Sequence, residues 1–520
     1  MSLAPPPRIP KLPRLTFRLL PPDEGTPTGE ETAQLVPESE ADFARRVHAL
    51  AGSTQHVILL SGGDHPCSRH SIAALAPALI LEARDRCCLL RSDRGEREFD
   101  ANPFDLLDQL LESWWTDETG APLPLIAGYV AYEAGRMFEA LPTETEDILG
   151  LPDLWFCFPT RIFVHTKESG LSRECCVEWS DENGVLPALP PSHIPAAQNG
   201  TVEDERLRSQ HPGEKAAATE HSGTAGYPHS NFDRSAYVAM VERIRQYIYE
   251  GDVYQVNLSQ RFRFPSPESP FAFWLDLFAE NPAPFYAWME AGDHQVLSTS
   301  MERFFLLDGE HIETRPIKGT RPRGADEAEA RRLAGELQQS DKDDAELSMI
   351  VDLERNDLGK ICAPGSVRVA AHKIIERYAN VQHLVSVVEG RLLPGIGIGE
   401  IFRALFPGGS ITGCPKIRAM EIIDECERET RHVYTGAIGY IAASGRADFN
   451  IAIRSAILRD GVCHLSVGGG IVYDSDPHDE YVETLQKGQT FFRSAGFAGE
   501  AGRSGTAGSR ETEHSDDAFP

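Results

Sequence analysis

Two acidic stretches of the sequence place carboxylates three residues apart, a spacing that puts both on one helix face. In the first, SDPHDEYVETLQKGQ, Asp476 is a candidate helix cap and Pro477 fits the first helical position. Glu480 and Glu483 would then share a face with Lys487, one turn further along. The stretch therefore predicts a helix that presents two carboxylates and an ammonium group to one side.

The second stretch, KDDAELSMIVDLERND, repeats this spacing with Asp343 and Glu346. If the two helices converge, their four carboxylates form an oxygen-rich set of the kind that Mg²⁺ binds while leaving positions open for an anionic ligand. Solvated acidic helix faces are the alternative, because the chain has a formal net charge of −29 at pH 7. Spacing alone leaves both interpretations open.

A lysine with unusual neighbours lies in ETRPIKGTRPRG, where Lys318 stands next to Gly319 and between Arg315 and Arg321. Nearby cations lower the pKa of an amine, which frees its lone pair for nucleophilic attack. Lys318 could equally be a surface charge, or an electrostatic anchor for the carboxylates of a substrate. The residues alone do not decide among these roles.

Two glycine-bearing segments could approach a ligand through their backbone. FPGGSITGCPKIRAMEIIDE runs a Gly/Ser/Thr loop into a helix whose first position can be Pro415, so backbone N–H groups are free to hold a carboxylate. VGGGIVYDSDP places Gly468, Gly469 and Gly470 in tandem, where a bulky ligand could come close. Neither has the spacing of a nucleotide-binding fingerprint, and a tight turn is the simpler interpretation of each.

The elements that must position these groups are mostly strands that follow one another through short turns. A helix is predicted over residues 233–250, capped by Asp233 and ended by Gly251. Residues 434–472 predict three strands separated by Ser-Gly and Asp-Gly turns. This pattern indicates an α+β fold in which large antiparallel sheets form a sandwich-like core flanked by helices.

Composition divides the chain into four parts. Residues 1–180 are a β-rich N-terminal region, and residues 231–496 carry the motifs and form the predicted catalytic region. Residues 181–230 and the tail at 497–520 are rich in small and polar residues without apolar periodicity. Such segments cannot bury a core, so a disordered linker and a disordered tail are predicted.

Bulk properties exclude several classes of function. The net negative charge repels phosphate backbones and no basic run offsets it, so nucleic acid is not an expected ligand. No apolar stretch reaches the roughly 18 residues needed to cross a bilayer, and the N-terminus lacks a signal-type apolar core. None of the ten cysteines forms a CxxC pair. A cytoplasmic protein without membrane segments is expected.

The order of the motifs resembles the chorismate-utilising enzymes: anthranilate synthase component I, aminodeoxychorismate synthase component I, isochorismate synthase and salicylate synthase. The matching segments are GDVYQVNLSQRF, SMERFF, PIKGTRPRG, AELSMIVDLERNDLGK, VQHLVS, FPGGSITGCPK, YTGAIGY, FNIAIRSA and GGGIVYDSDPHDEYVETLQK. They follow family order from Gly251 to Lys487, and GYVAYEAGRMFEALP extends the match towards the N-terminus. The resemblance implies an anthranilate synthase component I-like fold.

The resemblance also implies a magnesium site and a set of catalytic groups. Glu346 and Glu480 would bind Mg²⁺ directly, with Glu483 and Asp343 as outer or water-mediated partners, and the metal would hold the ring carboxylate of chorismate. Glu302 would protonate the departing C4 hydroxyl, near which His383 would lie, and Lys318 would be the nucleophile. Further substrate contacts are implied for Gln255, Gly319, Thr320, Thr412, Gly413, Tyr434, Arg454, Gly469, Gly470 and Lys487.

Lys318 distinguishes between two branches of the family. Anthranilate synthases usually have PIAGT at this place, whereas many aminodeoxychorismate synthases have PIKGT, as this chain does. The closer resemblance therefore implies amination of chorismate at C4 to 4-amino-4-deoxychorismate, a precursor of p-aminobenzoate and folate. Gln255 supports amination, since the water-using relatives carry a lysine there. Anthranilate synthesis, with amination at C2 and loss of pyruvate, is the alternative.

Ammonia and regulation involve further partners. The sequence shows no glutamine-hydrolysing cysteine site, so a separate glutamine amidotransferase subunit is expected to form a heterodimer with this chain. The LLSGG run around Ser61 resembles the segment in which relatives bind tryptophan. A non-catalytic chorismate- or tryptophan-binding relative is the remote alternative. Against it argues the joint presence of Glu302, Glu346, Glu480, Lys318 and Arg454.

Overall fold

Residues 15–20, 37–111, 122–181 and 228–497 are described by the computed structural model of the chain. Within these ranges every pairing between named strands is antiparallel, and helices flank the resulting sheet. The expected α+β class is confirmed, because successive strands return through short connections and pair with their neighbours. The predicted linker and tail fall almost entirely on 182–227 and 498–520, outside the described residues.

The strands of the N-terminal region are β1 (Leu15–Leu20), β2 (His56–Leu60), β3 (His70–Arg84), β4 (Cys87–Ser92), β5 (Gly95–Asp100), β6 (Pro124–Val130), β7 (Leu154–Thr166) and β8 (Leu171–Asp181). Those of the catalytic region are β9 (His229–Ser230), β10 (Gln255–Pro265), β11 (Phe285–Glu290), β12 (Gln295–Ser300), β13 (Arg303–Asp308), β14 (His311–Arg315), β15 (Ile317–Pro322), β16 (Arg368–Arg377), β17 (Val381–Arg391), β18 (Gly413–Cys414), β19 (Ala437–Ala442), β20 (Ala447–Ile451), β21 (Ser455–Arg459) and β22 (Val462–Ile471).

The α-helices are α1 (Glu40–Ala51), α2 (Pro103–Leu111), α3 (Arg234–Glu250), α4 (Pro270–Glu280), α5 (Glu327–Gln338), α6 (Asp341–Gly359), α7 (Ile398–Leu405), α8 (Lys416–Cys426) and α9 (Pro477–Ser494). Two 3₁₀ turns span Tyr132–Met137 and Gly409–Ile411. In the described part of the chain, none of the helices combines the length and apolar character needed to span a membrane.

The N-terminal and catalytic regions share one sheet. Strand β2 pairs with β11, and β6 pairs with β19, so hydrogen-bonded ladders run across the boundary between the regions. Buried aromatic residues fill the adjoining core: Phe305 and Phe449 stack with ring centroids 5.3 Å apart. Burying such a side chain stabilises a fold by about 1.5–3 kcal/mol. The N-terminal strands therefore support the catalytic region directly.

Helix ends follow the predicted capping residues. Asp233 accepts the N–H of Ala236 at the start of α3, and Asp476 caps α9 ahead of Pro477. Helix α8 begins one residue later than expected, because Pro415 is its extended N-cap rather than its first helical residue. The pairing of β18 with β10 explains this, since it holds the chain extended up to Cys414. The caps at Asp476 and Pro415 set the first residues of α9 and α8, the helices that follow the two glycine-bearing segments.

Candidate active site

Strands β10 and β22 form the floor of the site. Their antiparallel register places Asn257 opposite Gly470. A Cβ atom on Gly470 would lie 3.1 Å from Nε2 of Gln255 and 3.5 Å from Nζ of Lys318. The side-chain ends of Gln255 and Lys318 therefore both lie next to Gly470, and the absence of a side chain on this glycine leaves space beside them.

Lys318 lies on β15 and reaches across to the loop before β18. Its Nζ donates to the carbonyl oxygen of Ser410 at 3.3 Å. Burial lowers the pKa of Lys318, and the negative charges of Glu346 and Glu302 oppose that shift. A desolvated amine with a lowered pKa exposes its lone pair more often, which suits a nucleophile.

The cause of this lowered pKa differs from the one expected from the sequence. Arg315 is paired with Glu376, and Arg321 binds Asp343 with its guanidinium 3.0 Å from the carboxylate. The expectation that the two arginines lower this pKa is therefore wrong, although a nearby cation does contribute: the charge of Lys487 acts in the same direction as burial. Each arginine is held by a carboxylate, so closeness in sequence did not direct either guanidinium towards the Lys318 amine.

Glu302 lies in the short junction between β12 and β13 and is 4% exposed. Its Oε1 accepts the hydroxyl of Ser410 at 2.6 Å and the backbone N–H of Ile317 at 3.4 Å. Burial raises the pKa of Glu302 to about 7, against the opposing effects of the Ser410 hydrogen bond and the charge of Lys318. A carboxyl group with this pKa is available at neutral pH in both protonation states, as a general acid requires.

His383 on β17 faces Thr320 in the ladder with β15. Its Nδ1 lies 2.9 Å from the Thr320 hydroxyl. Burial lowers the pKa of His383 to about 4, so the imidazole is neutral near pH 7. Its Nε2 is buried and has no hydrogen-bond partner among the described residues. The ring can therefore offer one nitrogen to a bound molecule while Thr320 holds the other.

Helix α9 places its carboxylates over the glycine strand. From the position of a Cβ on Gly469, Oε2 of Glu480 lies at 3.0 Å, while Oε1 of Glu483 and Nζ of Lys487 both lie at 3.7 Å. Lys487 and Glu483 form a 2.7 Å ion pair, and the Lys487 charge lowers the pKa of Glu483. The shared helix face predicted for these three side chains is confirmed.

Carboxylates from α6 complete the acidic side of the site. Burial raises the pKa of Glu346 and that of Glu480, because both carboxylates are poorly solvated. A bound divalent cation would stabilise their charged forms. Oxygen donors of this type fit magnesium. Asp343 is engaged by Arg321, and Lys342 lies 3.9 Å from Glu346. Within the described ranges, no three His, Cys, Asp or Glu side chains are already gathered to hold a metal, so magnesium stays a prediction.

At the opposite end of the glycine strand lie Tyr434 and Arg454. The Tyr434 hydroxyl is 3.0 Å from where a Cβ on Gly468 would stand. Arg454 has a left-handed backbone with φ 51°, and its guanidinium donates to the carbonyl oxygen of Lys487 at 2.6 Å. Tyr434 therefore borders the glycine strand, whereas Arg454 is held against α9, and the contacts of both residues with a carboxylate of a ligand stay predictions.

Two other predicted contacts shape the wall. The buried hydroxyl of Thr412 donates to the carbonyl oxygen of Gly408 at 2.9 Å, within its own loop. A Cβ on Gly413 would lie 2.0 Å from the carbonyl oxygen of Gln255, so only glycine fits there. Gly319 is also confined, since its Cβ would lie 2.9 Å from Asp343. The substrate contacts predicted for these residues stay predictions.

Two residues of the site were not identified from the sequence. Ser410 links Glu302 and Lys318 through its hydroxyl and its carbonyl oxygen. Asn257 has a buried Nδ2 without a partner among the described residues. Period-two alternation from Gln255 would have placed Asn257 on the same face of β10. No local pattern marks Ser410, because its contacts come from strands distant in sequence.

Ser61 lies elsewhere, in a separate cavity of about 240 Å³ between the N-terminal and catalytic strands. Arg303, Arg315, Tyr286 and Asp448 also line this cavity. The backbone N–H of Ser61 donates to the hydroxyl of Ser71 at 3.0 Å. The cavity supplies a place for a small ligand near Ser61, and tryptophan binding there stays a prediction.

Comparison with known proteins decides the family. The model of the chorismate binding enzyme family matches residues 64–493. The chain belongs to the chorismate-binding enzymes. Among the relatives of this chorismate-binding enzyme, anthranilate synthase component 1 of Thermus thermophilus is 38% identical over 381 residues, 72% of this chain and 78% of the relative. Aminodeoxychorismate synthase component 1 of Salmonella typhimurium is 35% identical over 455 residues, 86% and 94% of the two chains.

A solved structure supports the same assignment of fold. The crystal structure of anthranilate synthase component I from Streptococcus pneumoniae superposes on this chorismate-binding enzyme with a TM-score of 0.65 and 30% sequence identity. The match covers 82% of this chain and 92% of that chain. The anthranilate synthase component I-like fold expected from the motifs is thereby confirmed.

Proposed function

We propose that this chorismate-binding enzyme is an aminodeoxychorismate synthase component 1, which aminates chorismate at C4. The observation that carries the proposal is the position of Lys318, whose amine stands beside Gln255 above Gly470. The same lysine shares Ser410 with the carboxyl group of Glu302. A nucleophile and an acid are thus held at one pocket wall, as a reaction through a covalent lysine adduct requires.

In the proposed reaction, the amine of Lys318 attacks C2 of the ring while the C4 hydroxyl departs. Glu302 gives a proton to that hydroxyl, which leaves as water, and the ring double bonds shift to accommodate the new C–N bond. Ammonia then attacks C4 and the lysine leaves C2, while a proton from the incoming nitrogen returns to Glu302. The product, 4-amino-4-deoxychorismate, keeps its enolpyruvyl group.

The other side chains bind and orient the substrate. Glu346 and Glu480, with Asp343 and Glu483 further out, would hold magnesium, which would supply positive charge for the ring carboxylate. Arg454 and Tyr434 would bind the enolpyruvyl carboxylate at the other end of the glycine strand. Neutral His383 would accept or donate one hydrogen bond at the C4 hydroxyl through its unpartnered Nε2.

Ammonia would come from a separate glutamine amidotransferase subunit. The relatives that support this are named as numbered components, aminodeoxychorismate synthase component 1 and anthranilate synthase component 1. Free ammonium should replace the partner in a purified reaction, because the amination step itself needs only the nitrogen nucleophile. A cytoplasmic location fits this role and is part of the proposal.

Anthranilate synthesis is the second candidate, favoured by the 38% identity to the Thermus thermophilus anthranilate synthase component 1. The deciding experiment incubates the purified chain with chorismate, magnesium and ammonium and identifies the product by mass and absorbance. A product that retains the enolpyruvyl group supports C4 amination. Accumulation of anthranilate, with release of pyruvate, would overturn the proposal in favour of C2 amination.

A lysine variant tests the covalent role. We expect Lys318→Ala to reduce C4 amination to background, or to redirect the reaction, because no other amine stands beside Glu302 and Ser410 in the described residues. Lys360→Ala is the matched control, since that lysine is 54% exposed and pairs with Asp357 outside the pocket. Unchanged C4 amination in Lys318→Ala would reduce the lysine to an electrostatic role.

A further inference from the structure

Glu354 is a buried carboxyl group that the proposed reaction does not use. It lies on α6, is 5% exposed, and its Oε1 accepts the backbone N–H of Gly409 at 3.3 Å. A Cβ on Gly409 would lie 2.6 Å from Cδ2 of Leu353 and 3.3 Å from the same Glu354 oxygen. Helix α6 and the Gly409 loop therefore pack closely, and any larger residue at this position would have to displace Leu353.

The next residue in this loop contacts both reacting groups. Ser410 donates its hydroxyl to Oε1 of Glu302 at 2.6 Å and accepts Nζ of Lys318 on its carbonyl oxygen at 3.3 Å. Gly409 and Ser410 are consecutive, so displacement of one moves the other. Through one short turn, Glu354 is connected to the acid and to the nucleophile.

The charges that face Glu354 come from three elements. Lys416 on α8 attracts it, while Asp357 on its own helix and Glu302 repel it. Lys416 is itself anchored 2.7 Å from Oδ2 of Asp357, and it also donates to the carbonyl oxygen of Leu405. Burial raises the pKa of Glu354 to about 7, as it does for Glu302. The two carboxyl groups are thus buried within electrostatic range of each other.

We propose that Glu354 is a positioning residue for amination: through its hydrogen bond to Gly409 it holds the Gly409–Ser410 turn against Glu302 and Lys318. The inference rests on the proposed function for its kinetic consequences. The groups that face Glu302 are Ser410, Lys318 and the Ile317 amide, with Glu354 behind the turn. Of the two buried carboxyl groups, only Glu302 would contact substrate.

Two variants separate the hydrogen bond from the charge. Glu354→Gln keeps an oxygen for the Gly409 N–H but removes the charge, whereas Glu354→Leu removes both. Asp352→Asn is the control, because that carboxylate is on the same helix and is 73% exposed. The measurement is the rate of chorismate consumption with magnesium and ammonium as a function of pH.

For Glu354→Leu we expect kcat to fall about ten- to a hundredfold with KM little changed, the effect of losing a charge-assisted hydrogen bond. For Glu354→Gln we expect most of kcat to remain at each pH, because the amide oxygen can still accept the Gly409 N–H. A Glu354→Gln variant that loses as much kcat as Glu354→Leu, or a Glu354→Leu variant that behaves as wild type, would overturn the inference.

The measurements on the Glu354 variants can fail independently of the proposed C4 amination. Chorismate consumption is independent of whether C4 or C2 is aminated, so anthranilate formation would overturn only the proposed function. If the wild type consumes no chorismate, the pH dependence of the melting temperature replaces the kinetic measurement. Glu302→Gln and Glu354→Leu should then have non-additive effects when combined, because both side chains bind the Gly409–Ser410 turn. Additive effects would overturn the proposed connection through this turn.

Discussion

The site around Lys318 and the Ser61 cavity both contain buried polar side chains, and Gln255 in the first differs from Arg303 in the second in how completely it is hydrogen-bonded. In the catalytic pocket, buried atoms of Gln255, Asn257 and His383 have no hydrogen-bond partner among the described residues. Leaving a buried donor or acceptor unpaired costs about 1–3 kcal/mol. Under the proposed function, bound chorismate would supply the missing hydrogen-bond partners of these three side chains.

The Ser61 cavity keeps its principal cation paired. Arg303 donates to both carboxylate oxygens of Asp448, at 2.9 and 3.0 Å, and to Glu313 at 2.9 Å. These bonds hold β13, β14 and β20 together whether or not a ligand is present. Glu302 and Arg303 are neighbours in sequence but differ in role: Arg303 stabilises the sheet through its ion pairs, whereas Glu302 is the acid of the proposed reaction.

The largest expected effect on activity comes from removing the proposed general acid, Glu302. We expect Glu302→Gln to lower kcat by about 10²–10⁴-fold, the usual contribution of a general acid, because glutamine cannot give a proton to the C4 hydroxyl. Chorismate consumption with ammonium and magnesium measures the change. Glu290→Gln, which alters a half-buried carboxyl group at the far end of β11, is the control and should retain activity. A fully active Glu302→Gln would remove the acid from the mechanism.

The same variant has a second consequence, for stability against pH. Burial raises the pKa of Glu302 from 4.5 to about 7, so the folded chain binds this proton more tightly than the unfolded chain does. This contribution is fully present below pH 4.5 and is lost as the pH rises through about 7. Glu302→Gln cannot lose a proton, so its melting temperature should fall less across this window.

Removing a partner of Arg303 should lower the stability of the fold and leave the proposed catalytic groups in place. We expect Asp448→Ala to lower the free energy of unfolding by about 3–5 kcal/mol, because it leaves a buried guanidinium short of a partner. Denaturant unfolding measures this loss. Asp308→Ala is the control. The Asp308 carboxylate is 56% exposed and pairs with Arg446, so its loss should lower the free energy of unfolding by only about 0–1 kcal/mol. Equal effects of the two variants would contradict a structural role for the Arg303 pairs.

The sequence predicted those parts of the site that local rules control. Asp476 and Pro477 define the start of α9, and helical spacing then puts Glu480 and Glu483 on one face. Ser410 could not be found in this way, because its partners come from β15 and from the junction after β12. The effect of Arg315 on Lys318 was inferred wrongly for a related reason, since an ion pair with Glu376, a residue distant in sequence, holds that arginine.

The smallest expected effect tests whether the unpartnered amide of Gln255 really faces a ligand. We expect Gly470→Ala to raise KM for chorismate about tenfold, because overpacking costs about 1–3 kcal/mol and the new methyl group would crowd Gln255 and Lys318. The fold should persist, since both neighbours are ends of side chains. Gly335→Ala on α5 meets no atom within 4 Å and should leave KM unchanged. An unchanged KM in Gly470→Ala would mean that substrate does not approach this strand, and the unpaired atoms of Gln255 would then need another explanation.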